Sequence, residues 1–268
     1  MLELLFETFK TKGLFIKSSA CLSSYLFSKE SSLIIDVGGH NTFVTPVHDG
    51  FQIENKGKHF QFGGEDLTFS LDSFLMNKSP ELFDFSFFRR NRVKGTVLEN
   101  FSRLEIMRDI KHSTFKVPIN GIQKQEFNPI VDNLIYELPD KRNLVLAKES
   151  FSIPDQLFGT ESFPGVHKII QQVIQNLNPD YKSSVMSNII ITGGATSTKG
   201  FIERLQREIY DQLCNYKSKF FYLNRQIDRR ISSWLNGSVI GSMDNFDDLL
   251  MTAKEYEEHG LSLIDRKC

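Results

Sequence analysis

Strand-like and helix-like segments alternate along the chain, and this alternation limits the possible folds more than any other feature of the sequence. The segments SSLIIDV (31–37) and SNIIITGG (187–194) carry apolar runs that are typical of buried strands. The segment PGVHKIIQQVIQN (164–176) has its apolar residues at the three- and four-residue spacing of an amphipathic helix. Strands and helices that interleave in this way predict an α/β fold.

Other local patterns predict hairpins and further helices. Asp49-Gly50 lies between two apolar-rich strands, and Pro139-Asp140 lies at the centre of a second predicted hairpin. A short helix is predicted for residues 2–10, and a strand for GLFIKSS (13–19). The segment 98–113 predicts an amphipathic helix whose apolar residues fall mostly on one face, namely Leu98, Phe101, Leu104, Ile106, Met107 and Ile110.

Composition and charge exclude several classes of protein. The 268 residues are enough for one large domain or two lobes. The 32 lysines and arginines nearly balance the 33 aspartates and glutamates, so we expect no direct, sequence-specific binding of nucleic acid. The three cysteines are scattered, which favours neither a disulfide framework nor a zinc site. No apolar run approaches the ~18 residues of a membrane span, and the N-terminus lacks the pattern of a signal peptide, so no membrane contact is expected.

Three pairs of glycines are the strongest candidates for a ligand site: Gly38-Gly39, Gly63-Gly64 and Gly193-Gly194. Glycine lets the backbone approach a ligand closely, and successive N–H groups can form an anion-binding nest. None of the pairs matches the dinucleotide motif GxGxxG or the P-loop motif GxxxxGK[ST]. Taken singly, each pair is also compatible with an ordinary tight turn.

Two other groups of residues have weaker functional interpretations. The basic run Arg89-Arg90-Asn91-Arg92 has the charge to contact nucleic acid or an acidic histone surface, although short basic runs are usually only solvated. His48, His112 and His167 are isolated from carboxylates at ligand spacing, which favours surface or packing roles over metal binding.

A series of motifs that covers essentially the whole chain resembles the actin superfamily. They occur in the same order as in actin: DVGGHNTFVTPVHDGF (36–51), GGEDLT (63–68), RLEIMRDIKHSTFKV (103–117), YELPDKRNLVLAKESFSIPDQLF (136–158), PGVHKIIQQVI (164–174), NIIITGGATSTKGFIERLQREI (188–209), SSWLNGSVIGSM (232–243) and KEYEEHG (254–260). The resemblance implies an actin-like fold of the ribonuclease-H-like type (the actin–Hsp70 class), incomplete at the N-terminus.

The resemblance also implies a division into lobes. Residues 27–62 and 151–231 correspond to the second inner lobe (subdomain 3), and residues 63–150 to an outer lobe (subdomain 4). Residues 1–26 and 232–268 correspond to a remnant of the first inner lobe (subdomain 1). The match begins well inside the actin pattern, so subdomain 2 and the first phosphate loop are expected to be absent.

The family holds ATP with magnesium in a cleft between two lobes, and the resemblance assigns residues to that cleft. It places Asp36, Gly38 and Gly39 in the second phosphate loop, with Asp36 near the nucleotide-bound cation. The remaining residues are implied to lie beside the ribose and adenine or over the base: Gly64, Arg108, Lys111, Gly193, Gly194, Ala195, Thr198 and Arg230.

Two residues depart from the family pattern in a way that bears on catalysis. Gly39 stands where a carboxylate near the metal is usual, and Phe43 stands where a water-orienting histidine is usual. Phosphoryl transfer depends on positioning the attacking water and on neutralising charge, and phenylalanine does neither. We therefore expect weak or absent ATP binding and no hydrolysis, so no catalytic residue is predicted.

Within the superfamily, PVHDGF (46–51) and the residues from Lys78 to Val97 look most like the nuclear actin-related subunits of chromatin-remodelling and histone acetyltransferase complexes. This resemblance implies a non-catalytic scaffold in the nucleus, bound to a large helical subunit and to actin or another actin-related protein. The partner helix is expected in a groove near Cys21–Phe27 and Trp234–Met243. Two alternatives remain open: a divergent cytoskeletal, cytoplasmic actin-like protein that slowly hydrolyses ATP, and a truncated gene product of such a protein.

Overall fold

The computed structural model describes residues 1–79, 97–124, 128, 133–223 and 228–263. The basic run Arg89-Arg90-Asn91-Arg92 lies outside these residues. The strands are β1 (Gly13–Leu14), β2 (Ser32–Val37), β3 (Thr42–His48), β4 (Phe51–Gln52), β5 (Lys58–Phe60), β6 (Leu134–Glu137), β7 (Asn143–Leu146), β8 (Asn188–Thr192), β9 (Lys219–Phe221) and β10 (Met251–Thr252). The α-helices are α1 (Ser19–Leu26), α2 (Gly64–Lys78), α3 (Val97–Thr114), α4 (Glu149–Asp155), α5 (Val166–Asn176), α6 (Pro179–Ser187), α7 (Phe201–Glu208), α8 (Tyr210–Leu213), α9 (Ser232–Gly241), α10 (Phe246–Leu249) and α11 (Ala253–His259).

A mixed sheet organises the molecule and confirms the predicted α/β fold. Its strands run in the order β4-β3-β2-β8-β9, and β5 also pairs with β3. β2 is antiparallel to β3 and parallel to β8, with Asp36 opposite Thr192 in the parallel register. Because β2 and β8 run in the same direction, the glycine pairs that follow them meet at one edge of the sheet.

The two faces of the sheet are covered by different helices. Side chains alternate between the faces of a strand, so Leu33 and Ile35 point into the main core while Ile34 points to the opposite side. The main core is completed by α5, through residues such as Ile170. On the other face, Ile34 packs with Cys21 of α1. Both faces of β2 are therefore buried, as its uninterrupted apolar sequence predicts.

The helices α2 and α3 and the β6–β7 hairpin form a second group of packed elements. Leu67, Leu71 and Leu75 of α2 and Met107 and Ile110 of α3 belong to the buried core. The predicted hairpin is confirmed, with Leu134 opposite Leu146 and Glu137 opposite Asn143. The predicted helix is also confirmed, but Phe101 is exposed, because the buried stripe runs through Met107 and Ile110 instead.

The segments near the two ends of the chain pack on each other. Leu2, Phe6, Met251 and Leu263 form a small separate core. The predicted strand over 13–19 is only two residues long, and it pairs with β10, which is equally short. The predicted N-terminal helix contains a π-helical turn at Leu4–Thr8. Among the described residues, no helix has the length and apolarity that crossing a membrane requires.

Candidate functional site

The three glycine pairs converge in space at the end of the sheet. The N–H of Gly64 donates to the carbonyl oxygen of Gly38 at 2.9 Å, and the N–H of Glu65 donates to that of Gly39 at 2.7 Å. A Cβ on Gly63 would lie under 3.0 Å from both of these carbonyl oxygens, so the first turn of α2 approaches this closely only because residue 63 is glycine. The first two pairs thus form one backbone unit.

The third pair closes the other side of this unit. Gly193 has φ 89° and ψ 145°, a conformation that is essentially restricted to glycine. A Cβ there would lie under 3.0 Å from the carbonyl oxygen of Val37 and from Oδ1 of Asp36. Gly194 begins a short 3-10 turn, Gly194–Ser197, that continues the same wall.

Most of the residues assigned by resemblance line one cavity of about 630 Å³ beside these loops. A neighbouring cavity of about the same volume shares six lining residues with it, namely His112, Gly194, Ser197, Thr198, Lys199 and Arg230. Asp36 and Gly193 do not line this cavity. They lie next to each other, because a Cβ on Gly193 would be under 3.0 Å from Oδ1 of Asp36. The assigned residues that line the first cavity are Gly38, Gly39, Gly64, Arg108, Lys111, Gly194, Ala195, Thr198 and Arg230. Their role in holding a nucleotide stays a prediction.

The loop after β2 offers backbone donors to an anion. The N–H of Gly38 is already bound to the carbonyl oxygen of Asn41 at 2.9 Å. Within the described ranges, no group accepts a hydrogen bond from the N–H of Gly39, His40 or Asn41. Of the three residues, Gly39 lines the cavity, and His40 and Asn41 follow it in the same loop. Successive donors without acceptors form the kind of nest that binds phosphate oxygens.

Lys111 is a cation of the cavity wall that forms no ion pair among the described residues, although Glu65 is near enough to counteract the lowering of its pKa. Its Nζ donates to the carbonyl oxygen of Gly64 and to Oγ1 of Thr68, both at 2.8 Å. Burial lowers the pKa of Lys111 from its usual value. In the described part of the chain no carboxylate lies within ion-pair distance of its ammonium group, so its charge remains available to an anion in the cavity.

Arg108 is in a different state, because it is already paired with acids. Its Nε donates to Oε1 of Glu65 at 3.0 Å, and its Nη2 donates to Oε2 of the same carboxylate at 2.8 Å. Its Nη1 also pairs with Glu105. These hydrogen bonds from Arg108 are the main cause of the lowered pKa of Glu65.

The second cavity is surrounded by arginines and a histidine. Arg230 is held by Asp228, with Nε and Nη2 at 2.6 and 2.5 Å from Oδ2. Arg229 donates to the carbonyl oxygen of Thr196 at 2.6 Å and lies over the ring of Tyr222. Burial is the main cause of the lowered pKa of His112, which is therefore neutral at neutral pH.

Sequence reasoning missed several residues of the cavity walls. Glu65 and His112 directly follow assigned residues on helices, and that adjacency is the signal that could have identified them. Lys116 and Lys199 meet through a bridge between distant segments, which no local pattern predicts. Phe43 is exposed and stacks on His59, with the ring centroids 4.5 Å apart. It lines neither of the two cavities.

The residues present fit a cation that is carried by a phosphate ligand better than a metal held by the protein alone. The described residues contain no cluster of three or more histidine, cysteine, aspartate or glutamate side chains with metal-binding geometry. Asp36 is mostly buried and accepts no hydrogen bond from any described group, and burial raises its pKa. A single carboxylate of this kind suits magnesium, which usually takes one or two protein carboxylates together with phosphate oxygens and water.

Replacing Asp36 by asparagine is expected to increase the free energy of unfolding of the ligand-free protein at about pH 7. The pKa of Asp36 is higher in the folded protein than in the unfolded chain, so ionisation is disfavoured only in the folded state. The destabilisation of the unmodified protein by ionised Asp36 is therefore absent below the pKa that Asp36 has in the unfolded chain. It develops as the pH rises through the pKa of Asp36 in the folded protein. Urea denaturation of both proteins at about pH 7 and about pH 3 measures this. The prediction would be contradicted if the two proteins differed in free energy of unfolding by the same amount at both pH values.

Comparisons with known proteins find relatives that match nearly the whole length of the chain. A family model described as Actin matches residues 1–268. The chain is 31% identical over 296 residues to actin-related protein 4 of Oryza sativa subsp. japonica, and 28% identical over 297 residues to actin-related protein 4 of Arabidopsis thaliana. Each alignment covers 99% of this chain and 67% of the relative.

Proposed function

Because the chain belongs to the actin family, we propose that it is a non-catalytic scaffold subunit of a nuclear chromatin-remodelling or histone acetyltransferase complex, with at most weak ATP binding and no hydrolysis. The relatives that it matches over 99% of its length are named actin-related proteins, which supports a specialised role in preference to that of conventional actin. The observation that carries the proposal is an apolar groove between α1 and α9.

The groove has a volume of about 690 Å³ and an apolar floor. Its walls come from α1, α9 and α10, with further residues from the segment between β1 and α1 and from β4. Val239, Met243 and Leu249 line it while remaining substantially exposed. The complete set of lining residues is Phe15, Lys17, Tyr25, Leu26, Ser28, Phe51, Asn236, Val239, Ile240, Met243, Asp248 and Leu249. An amphipathic helix that lays its apolar face into such a groove is a common mode of recognition.

Two buried polar contacts fix the walls of the groove. Asn236 of α9 donates to the carbonyl oxygen of Leu22 in α1. At the start of α9, Ser232 bonds to Thr192 at the end of β8. A buried polar group costs stability unless it is paired, so these contacts favour one relative position of the two helices. A groove of fixed shape suits a permanent partner such as a long helix of a large subunit, with actin or another actin-related protein beside it.

The cleft supports the nucleotide part of the proposal. A member of the actin family is expected to hold ATP with magnesium between its lobes. The unpaired N–H groups of Gly39, His40 and Asn41 and the ammonium group of Lys111 would bind phosphate oxygens. Asp36 would lie near the cation. When bound, the cation would neutralise phosphate charge, while the protein groups orient the ligand.

The same cleft supports the absence of hydrolysis in the proposal. Residue 39 has no carboxylate to place beside a metal, and Phe43 has no nitrogen or oxygen to orient a water molecule. Its ring is held by stacking on His59. Such a cleft would bind a nucleotide weakly and leave it uncleaved. Slow release of phosphate from magnesium ATP by the purified protein would favour a cytoskeletal, actin-like function instead.

The test uses two matched substitutions in the tagged chain. Val239→Glu puts a charge in the groove, and Val145→Glu puts the same charge on the β6–β7 hairpin; the two valines are 46% and 48% exposed. We expect the unmodified protein to be nuclear and to copurify with subunits of a chromatin-modifying complex. Val239→Glu should reduce the recovery of those subunits at least roughly tenfold, because the charge would be buried without a partner. Val145→Glu should recover them normally.

Two outcomes would contradict the proposal. One is copurification with cytoskeletal proteins alone. The other is equal recovery of the partner subunits by both variants, which would place the contact elsewhere. Thermal melting of both purified variants is the control for folding.

A further inference from the structure

Glu65 places an anionic side chain of the protein itself in the wall of the candidate nucleotide cleft. It lies in the first turn of α2 and lines the same cavity as Gly38, Gly39 and Lys111. Its carboxylate is largely shielded from solvent and is held by two nitrogens of Arg108. The pair joins α2 to α3 across 43 positions of the sequence.

The stem of Glu65 also lies against the glycine loop. Its Cγ is 3.7 Å from the position that a Cβ on Gly39 would occupy. The unpaired N–H groups of Gly39, His40 and Asn41 belong to that same loop. A phosphate that entered this nest would therefore approach the carboxylate as well as the donors.

The two cations near the loop, Lys111 and Arg108, differ in how freely their charge can interact with a ligand. Lys111 bonds only to a carbonyl and a hydroxyl, whereas Arg108 has both of its flanks occupied by Glu65 and Glu105. Glu105 lies on the exposed side of Arg108 and does not line the cavity. Of the two acids, only Glu65 competes directly with a ligand for Arg108.

We propose that Glu65 acts as an internal counter-anion that holds Arg108 and limits the affinity of the cleft for phosphate-bearing nucleotides. This inference rests on the proposed assignment of the cleft as a nucleotide site. An incoming phosphate must displace the carboxylate from Arg108 or bind beside it, and both raise the free energy of the complex. The penalty grows with the number of phosphate charges and is small for adenosine, which carries no charge.

The experiment compares Glu65→Gln with Glu105→Gln by isothermal titration of the purified full chain. The probes are magnesium ATP, magnesium ADP and adenosine, each at low and high salt. Glu65→Gln should bind magnesium ATP roughly tenfold more tightly than the unmodified protein, and magnesium ADP by a smaller factor. Adenosine affinity should change less than about twofold, and the ATP gain should shrink at high salt. Glu105→Gln should leave all three affinities within about twofold, because it removes only the outer partner of Arg108.

A double variant tests whether the gain passes through Arg108. With Arg108→Gln already present, adding Glu65→Gln should change the ATP affinity by less than about twofold, since the released guanidinium is the source of the gain. Several results would overturn the proposal: equal or weaker ATP binding by Glu65→Gln, an equal gain for adenosine, or an equal gain in Glu105→Gln. Failure of Glu65→Gln to bind any of the probes at millimolar concentration would also overturn it. The scaffold role is judged separately, by the recovery of partner subunits.

Discussion

Replacing Gly193 by alanine is expected to lower the free energy of unfolding by about 3 kcal/mol or more. The backbone at this position has φ 89° and ψ 145°, where residues other than glycine are strained. The added Cβ would also lie under 3.0 Å from the carbonyl oxygen of Val37 and from Oδ1 of Asp36. The Asp36 side chain can rotate away, but the carbonyl group of Val37 is backbone, so the main chain itself must shift. Urea denaturation followed by circular dichroism measures the loss.

The matched control for this substitution is Gly237→Ala. Gly237 lies inside α9, and a Cβ there would meet no heavy atom within 4 Å. Alanine is a better helix former than glycine, so this variant should be more stable than the unmodified protein by about 0.5–1 kcal/mol. A loss of less than about 1 kcal/mol in Gly193→Ala would show that the two loops can separate at little cost.

Replacing Phe163 by alanine is expected to cost about 3–5 kcal/mol of folding free energy. Phe163 is 2% exposed. It stacks on Phe62 with ring centroids 4.4 Å apart and meets Phe60 edge-on at 6.0 Å. Its removal leaves a cavity beneath the segment that leads from β5 to Gly63. Because Gly63 and Gly64 contact the loop after β2, the affinity for a phosphate ligand should fall together with the stability.

The control for Phe163→Ala is Phe69→Ala on α2. Phe69 is 49% exposed, so its removal should cost less than about 1 kcal/mol. Both variants are measured by urea denaturation under the same conditions. Similar losses of unfolding free energy in the two variants would mean that the buried ring of Phe163 stabilises the fold no more than the exposed ring of Phe69 does.

The elements that the sequence predicted well are those with strong local signals. The apolar run Leu33–Ile35 is buried on both faces of a strand, and the Asp49-Gly50 turn joins β3 to β4. At Asp49 and Gly50 the backbone has φ 50° and 78°, which glycine favours and aspartate tolerates. The sequence marks the three glycine pairs as candidates for a ligand site, and the structure brings them together. Their assignment to a nucleotide remains a prediction.

What the sequence could not predict depends on contacts between distant residues. The pairing of Glu65 with Arg108 spans 43 positions, and a charge in the first turn of a helix is equally explained by the helix dipole. The exposure of Phe101 has a similar origin. The spacing of the apolar residues in α3 predicts an apolar face of the helix. The packing against α2 decides which residues of that face are buried. The short β1 pairs with β10, which lies more than two hundred residues away along the chain.

Helix α9 connects the two candidate binding regions mechanically. Arg230 lines the cleft two residues before α9 begins, while Val239 and Ile240 line the groove near its end. At 1.5 Å per residue, the ten residues of α9 span only about 15 Å. The helix is tied at its start to the sheet and in its middle to α1. If α9 moved as one body, a displacement at the end that follows Arg230 would alter the width of the groove. By reciprocity, a helix held in the groove would change the nucleotide affinity by the same coupling free energy.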